Sequence, residues 1–196
     1  MAASPFRFDL EKAIQATAVI LREQVGHRIN YMKLLKLVSI AEREALKETG
    51  RMIVGDTIVA MKRGPLPSRM YDLLKGEHVD LQAWSEYIGR DKYDAYLTKQ
   101  PGVARLSRFE IEKLQEVARR HVNDDEWTMV EITHTFGEWI KNAPQNASSQ
   151  KIPIEDILEA VGRAAETEEI LREAQQQRLM SDFFVRHGAC SKETPS

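Results

Sequence analysis

The 196-residue chain is 42% hydrophobic and 30% charged, with a formal net charge of −2. That is enough apolar content to bury a core and too many charges for a membrane protein, and no run approaches the ~20 apolar residues of a spanning helix. The near-neutral balance provides no global field toward nucleic acid or anionic lipid, and the lone cysteine, Cys190, allows no internal disulfide and fits a reducing cytosol.

At the N-terminus, "MAASPFRFDLEK" lacks a basic start followed by an apolar stretch, so a secretory signal is not expected. Residues 9–25 repeat Leu10, Ala13, Ile14, Thr17, Ile20, Leu21 and Val25 at helical spacing, with Asp9 as N-cap and Gly26 as stop. A second helix runs from Asn30 to Gly50. Its face is Tyr31, Leu34, Leu35, Val38, Ala41 and Ala45, and Leu37 and Ile40 lie off that face, which predicts a central helix buried on more than one side.

The period then changes. "RMIVGDTIVAMKRG" predicts a strand over Thr57–Lys62, and Gly64-Pro65-Leu66-Pro67 reads as a rigid corner. Ser68 is placed to cap a helix over 69–75, which Gly76 ends, and a short helix follows over Leu81–Tyr87. "DKYDAYLTKQPGVARLS" reads as a hairpin: Tyr93, Ala95 and Leu97 alternate, Gln100-Pro101-Gly102 turns, and Val103–Leu106 returns to join the 57–62 strand in one sheet. Ser107 with Glu110 matches a capping box, and Asp124 or Asp125 opens a helix presenting Met129, Ile132, Phe136 and Ile140. Residues 142–153 read as a polar loop. After it come a helix over Ile154–Val161, a charged helix over 165–180 with a seam of Ile170, Leu171 and Ala174, and the apolar stretch Leu179–Val185. The fold class expected is mainly α (α+β): a helical domain with a small two- to three-stranded antiparallel sheet and a C-terminal helix.

Chemistry is sparse. His27, His78, His121, His134 and His187 show no metal-ligand spacing, and no Gly-rich phosphate loop or Ser or Cys nucleophile motif is present, so no metal and no cofactor are expected. His134, in "EITHTFGEW" with Trp139, reads foremost as a histidine tying its helix to a neighbouring carbonyl. An acid–base role is the minor alternative. Asp56 after Gly55 reads as a turn aspartate. Lys62, Arg63 and Arg69 flank the proline corner, where a solvated surface is the commoner outcome and an anion contact the sharper one. The corner of Gly64, Pro65 and Pro67 either routes the chain or forms a preorganised exposed ridge for another protein. Phe183 and Phe184, with Leu179, Met180 and Val185, either pack back on the core or form a partner patch.

These pieces together resemble the Panacea domain, a SocA-like, GepA-like antitoxin family associated with phages. The resemblance rests on Lys33-Leu34-Leu35-Lys36-Leu37, Ala41-Glu42-Arg43, Gly50, Gly55-Asp56, Ala60 through Pro67 and Tyr71-Asp72-Leu73-Leu74, then Leu106-Ser107 and Thr133-His134 with Trp139. It covers residues 30–140. Ser39 stands where the family often has an aromatic and Glu42 where it often has aspartate. The resemblance implies a bacterial, cytoplasmic, non-enzymatic antitoxin that neutralises a cognate protein toxin by direct contact. Its domain is expected over residues 1–141, followed by a linker loop at 142–153 and, at 154–196, C-terminal helices and a polar tail packed on the same domain. Expected toxin contacts are Lys62, Arg63, Pro65, Pro67, Arg69, Tyr71, Phe183 and Phe184; Gly55, Asp56, Gly64, His134 and Trp139 are expected to be structural. A homodimer is a further partner reading. The competing functions are a DNA-binding regulator of its own operon, against which stand the acids Asp124, Asp125, Glu126, Glu131 and Glu138, and a small enzyme using His134.

Overall fold

In the computed structural model, which describes residues 5–188 with side chains through 183, the Asp9 carboxylate accepts the Lys12 amide at 3.0 Å and opens α1 (Leu10–Arg22). The helix ends three residues earlier than its apolar spacing suggests. Gly26 lies beyond it in a 3₁₀ turn, Val25–His27, and Val25 faces solvent instead of extending the helix face. The chain passes through β1 (Arg28–Asn30) into α2 (Tyr31–Thr49), where the Asn30 side chain accepts the Met32 amide and Gly50, in the left-handed region, terminates the helix.

Residues 33–42 of α2 are buried without a break, as a helix enclosed on several sides requires. The lysines and the glutamate in that run make polar contacts inside the protein, described below.

Strand β2 (Ile58–Met61) turns at Lys62-Arg63 into β3 (Gly64–Pro67), so the expected double-proline corner is instead the second arm of a hairpin. Its register explains how two prolines fit. Ser68 N donates to Thr57 O, so hydrogen-bonded and non-bonded pairs alternate from there, and Pro67 opposite Ile58 and Pro65 opposite Ala60 fall at the non-bonded positions. Neither missing N–H is needed by β2, and β3 lies at a sheet edge, where proline is tolerated. Both prolines are buried, which corrects the expectation of an exposed ridge.

After α3 (Ser68–Lys75) and α4 (Leu81–Ser85) come β4 (Ile88–Asp91) and β5 (Asp94–Leu97), which pair with each other across Lys92-Tyr93. The expected partner for residues 93–97, Val103–Leu106, forms no strand. The turn at Lys92 has φ +50 but carries no Gly or Asn signal, whereas Gln100-Pro101-Gly102 carries the signal without a returning strand. β5 also pairs with β1, giving a sheet β1-β5-β4 separate from the sheet built on β2, and not the single sheet expected.

The capping box of Ser107 and Glu110 opens α5 (Arg108–Arg120), and Asp125 caps α6 (Glu126–His134). The helix expected to continue to Ile140 breaks at Phe136, which adopts an extended conformation before α7 (Gly137–Asn142). Its ring lies beneath the Arg43 guanidinium at 4.5 Å, and Ile140 points outward. The expected polar loop contains β6 (Ser149–Lys151), paired antiparallel with β2, so the second sheet runs β3-β2-β6. α8 (Ile154–Ala160) and α9 (Thr167–Gly188) close the described chain.

α2 is the axis of the molecule: α1, α5, α6 and β3 pack around it, and Leu46, Ile58 and Ala60 share a second apolar cluster with Ile152, Ile157, Leu158 and Ile170. The protein is mainly α with small antiparallel sheets. No helix among the described residues is long and apolar enough to cross a membrane.

Candidate functional site

Two buried carboxylates hold the segment that leads into the hairpin. Glu42, 2% exposed, accepts the amides of Ile53 at 2.6 Å, Val54 at 2.7 Å and Gly55 at 3.2 Å. Asp56 accepts Thr57 N at 2.7 Å and Met70 N at 3.0 Å, so it caps the start of α3 from the preceding loop. Ser68, expected in that role, makes no capping bond; it lies inside the helix, whose N-cap position is Pro67. Burial pushes the Glu42 carboxyl up to about 7 and the Asp56 carboxyl up to about 6, against the downward pull of their backbone donors. Gly55, φ +73, packs so closely on the N-terminal segment that a Cβ would meet Arg7 O at 2.3 Å.

The later residues of the pattern grip the hairpin from the other side. Trp139 Nε1 donates to Met61 O at 3.0 Å, and the His134 ring stacks on Trp139 with centroids 3.9 Å apart and planes 6° from parallel. Burial and the nearby Lys36 ammonium hold His134 below the usual histidine range, and a backbone hydrogen bond at Lys62 opposes them. Its Nε2 is buried with no hydrogen-bond partner among the described residues. Gly64, φ +94, makes this packing possible: a Cβ there would lie 2.7 Å from Thr133 Oγ1 and 2.9 Å from Lys36 Nζ. Lys36 donates to Pro65 O at 2.8 Å, the carbonyl that the strand register turns away from β2.

A cleft of about 540 Å³ opens between the start of α2, the hairpin, α3 and the 145–148 loop. Tyr31, Lys36, Lys62, Arg63 and Tyr71 line it, and among the described residues no aspartate or glutamate does. Arg63 also lies 4.9 Å above the ring of Trp127, which is 52% exposed on α6. An arginine and two tyrosines at the opening, with a tryptophan against the arginine, are among the residue types that dominate protein-binding energy.

The sequence-predicted residues thus divide. Lys62, Arg63, Gly64 and Tyr71 meet at this cleft, with His134 and Trp139 supporting it from behind. Pro65 and Pro67 are buried in β3. Arg69 is exposed but turned to a second groove, over the Phe8 ring at 5.3 Å, with Gly55 nearby. Phe183 is exposed on α9, with Leu179 and Met180. The side chains of Phe184 and Val185 lie outside the described residues, as does Cys190. Sequence reasoning missed Tyr31, Lys36 and Trp127 as site residues. Lys36 carried a usable signal, a lysine among leucines in the central helix; Trp127 is brought to Arg63 only by the fold.

A DNA-reading role for α5 and α6 meets the obstacle expected from sequence: Asp124, Asp125 and Glu126 stand at the start of α6, close enough to act on Lys33. Among the described residues no group of three or more His, Cys, Asp or Glu could hold a metal ion. The family model "Antitoxin SocA-like, Panacea domain" matches residues 34–140. No curated protein and no solved structure matches the chain.

Proposed function

The chain belongs to the SocA-like antitoxin family that carries the Panacea domain, and from that membership we propose that it neutralises a cognate protein toxin by binding it directly, with the hairpin cleft as the contact surface. The family implies a toxin partner in general. The choice of surface rests on the cleft: Tyr31, Lys62, Arg63 and Tyr71 present aromatic and cationic groups at one opening, and Trp127 extends it. The scaffold around it is tied down by Glu42, Asp56, Lys36 and Trp139, so little conformational freedom is lost on docking. The protein acts by holding its partner and forms or breaks no bond. We assign residues 1–141 to the antitoxin domain, with the helices that follow residue 154 packed on it; the shared cluster of Leu46 and Ile58 with Ile157 and Ile170 supports that arrangement.

The test is co-expression with the product of the neighbouring gene. Rescue of growth and copurification of the pair are expected. A neighbouring product that is harmless alone, or two proteins that never copurify, sinks the proposal.

A further inference from the structure

Among the described residues three lysines are buried: Lys33, Lys36 and Lys113. Two of them have acidic neighbours. Lys113 pairs with Glu44, Glu48 and Glu116, and Lys33 sits in the field of Asp124, Asp125 and Glu126 while donating to Val122 O. Lys36, 1% exposed, has neither. Its Nζ donates to Pro65 O, pairs with no carboxylate among the described residues, and leaves donors of the ammonium unspent. Taking a charge out of water without a counter-charge is costly, and burial alone pushes this amine down to about 7. A group of that kind inside a packed core would be a defect. Lys36, however, lies in the wall of the cleft, beside Lys62 and Arg63, and no acid among the described residues lines it.

We propose that the missing counter-charge arrives with the partner: the cleft seats one aspartate or glutamate side chain of the partner protein, its carboxylate on Lys36 Nζ and Lys62 and Arg63 at the rim. This rests on the reading of the cleft as the toxin-binding surface. Charge complementarity selects the occupant, since a carboxylate satisfies the ammonium's spare donors and the local positive field together. A nucleic-acid backbone is disfavoured: α6, tied to the rim through Trp127 over Arg63, begins with Asp125 and Glu126, which would repel a run of phosphates but not one carboxylate. Tyr31 and Tyr71 line the same cleft and add aromatic surface beside the entering side chain.

The test uses the full chain and three probes: acetyl-triglutamate amide, acetyl-triglutamine amide and a dodecamer of thymidylate. Triglutamate is expected to bind at least about tenfold tighter than triglutamine, as desolvated charge pairs give. Lys36→Met is expected to remove that preference and Arg63→Glu to reduce it. In the unmodified chain the Lys36 Cε NMR signal is expected to move toward its ammonium position with triglutamate only, a readout that survives if Lys36→Met does not fold. Equal binding of the two peptides, an immobile Lys36 signal, or an undiminished preference in Lys36→Met overturns the proposal. So does tighter binding of the thymidylate dodecamer that Arg63→Glu abolishes. If the peptides are not discriminated but the chain still rescues cells from the toxin, the carboxylate seat falls and toxin binding stands. If the peptides are discriminated but rescue fails, the reverse holds.

Discussion

Lys36 Nζ donates to the carbonyl oxygen of Pro65 at 2.8 Å, tying the second turn of the central helix to the outer edge of the β2–β3 hairpin. The bond exists because proline occupies a non-bonded strand position, so that its carbonyl points away from β2 and toward α2. Its ammonium is buried, which sets the pH behaviour of the fold. Burial lowers Lys36 to about 7 in the folded protein against 10.5 for an ordinary lysine, so the unfolded chain binds more protons than the folded one between those values. The lysine's contribution to stability therefore rises with pH across that window. Urea denaturation of the wild type and Lys36→Met is expected to show the variant faring comparatively better at pH 7 than at pH 10. Parallel profiles would mean that the amine is not desolvated.

Glu42 gives the opposite slope. Its folded pKa of about 7 lies above the ordinary glutamate value of 4.5, so its contribution is full below 4.5 and falls as pH rises to 7. Glu42→Gln replaces an acceptor with an amide NH₂ facing a backbone donor of residues 53–55, at a cost of about 1–3 kcal/mol. The gap between variant and wild type is expected to narrow from pH 4.5 to pH 7, read as denaturation midpoints. A pH-independent gap contradicts the assignment.

Asp56 and Ser68 form a discriminating pair. Asp56→Ala removes the acceptor of Met70 N at the start of α3 and is expected to cost about 1–2 kcal/mol. Ser68→Ala removes no capping bond and is expected to stay within about 0.5 kcal/mol. Thermal melts of the two variants decide it, and a larger loss at Ser68 would restore the serine as the cap.

Gly64→Ala places a Cβ at φ +94, 2.7 Å from Thr133 Oγ1 and 2.9 Å from Lys36 Nζ. The backbone strain and the displaced contacts together are expected to lower stability by about 2 kcal/mol or more. If calorimetry shows an unchanged melting temperature, the close packing of hairpin against α6 and α2 is not as described.

Arg63→Glu reverses an exposed charge at the cleft and removes the guanidinium from the Trp127 ring. Stability is expected to change by less than about 0.5 kcal/mol, as for other surface substitutions, while toxin neutralisation is lost. Rescue of growth at wild-type level by this variant would place the contact surface elsewhere, the exposed Leu179, Met180 and Phe183 of α9 being the next face to test.

Much of the helical framework was legible because its causes are local. Asp9, Asn30, Ser107 with Glu110, and Asp125 each announce a helix start through a side chain that reaches an amide two or three residues on, and the apolar period marks the buried faces. The ordered short segments from Lys33 to Trp139 likewise sufficed to place the family. The strand pairings were not legible in the same way. Pro65 and Pro67 read as a corner, because their compatibility with a strand depends on which register positions they take opposite β2. The Lys92-Tyr93 turn lacked a Gly or Asn signal, and β1 and β6 are short strands whose partners lie far along the chain.

The sequence by itself determined the starts of α1, α2, α5 and α6, the identity of the central helix and the membership of the chain, since these depend on contacts within a few residues or on the order of motifs. Only the tertiary structure decided that Lys36 is buried with no carboxylate beside it among the described residues, that Arg63 meets Trp127, and that the prolines are buried instead of exposed. Burial and charge pairing are set by distances between residues far apart in sequence, and no local spacing encodes those distances.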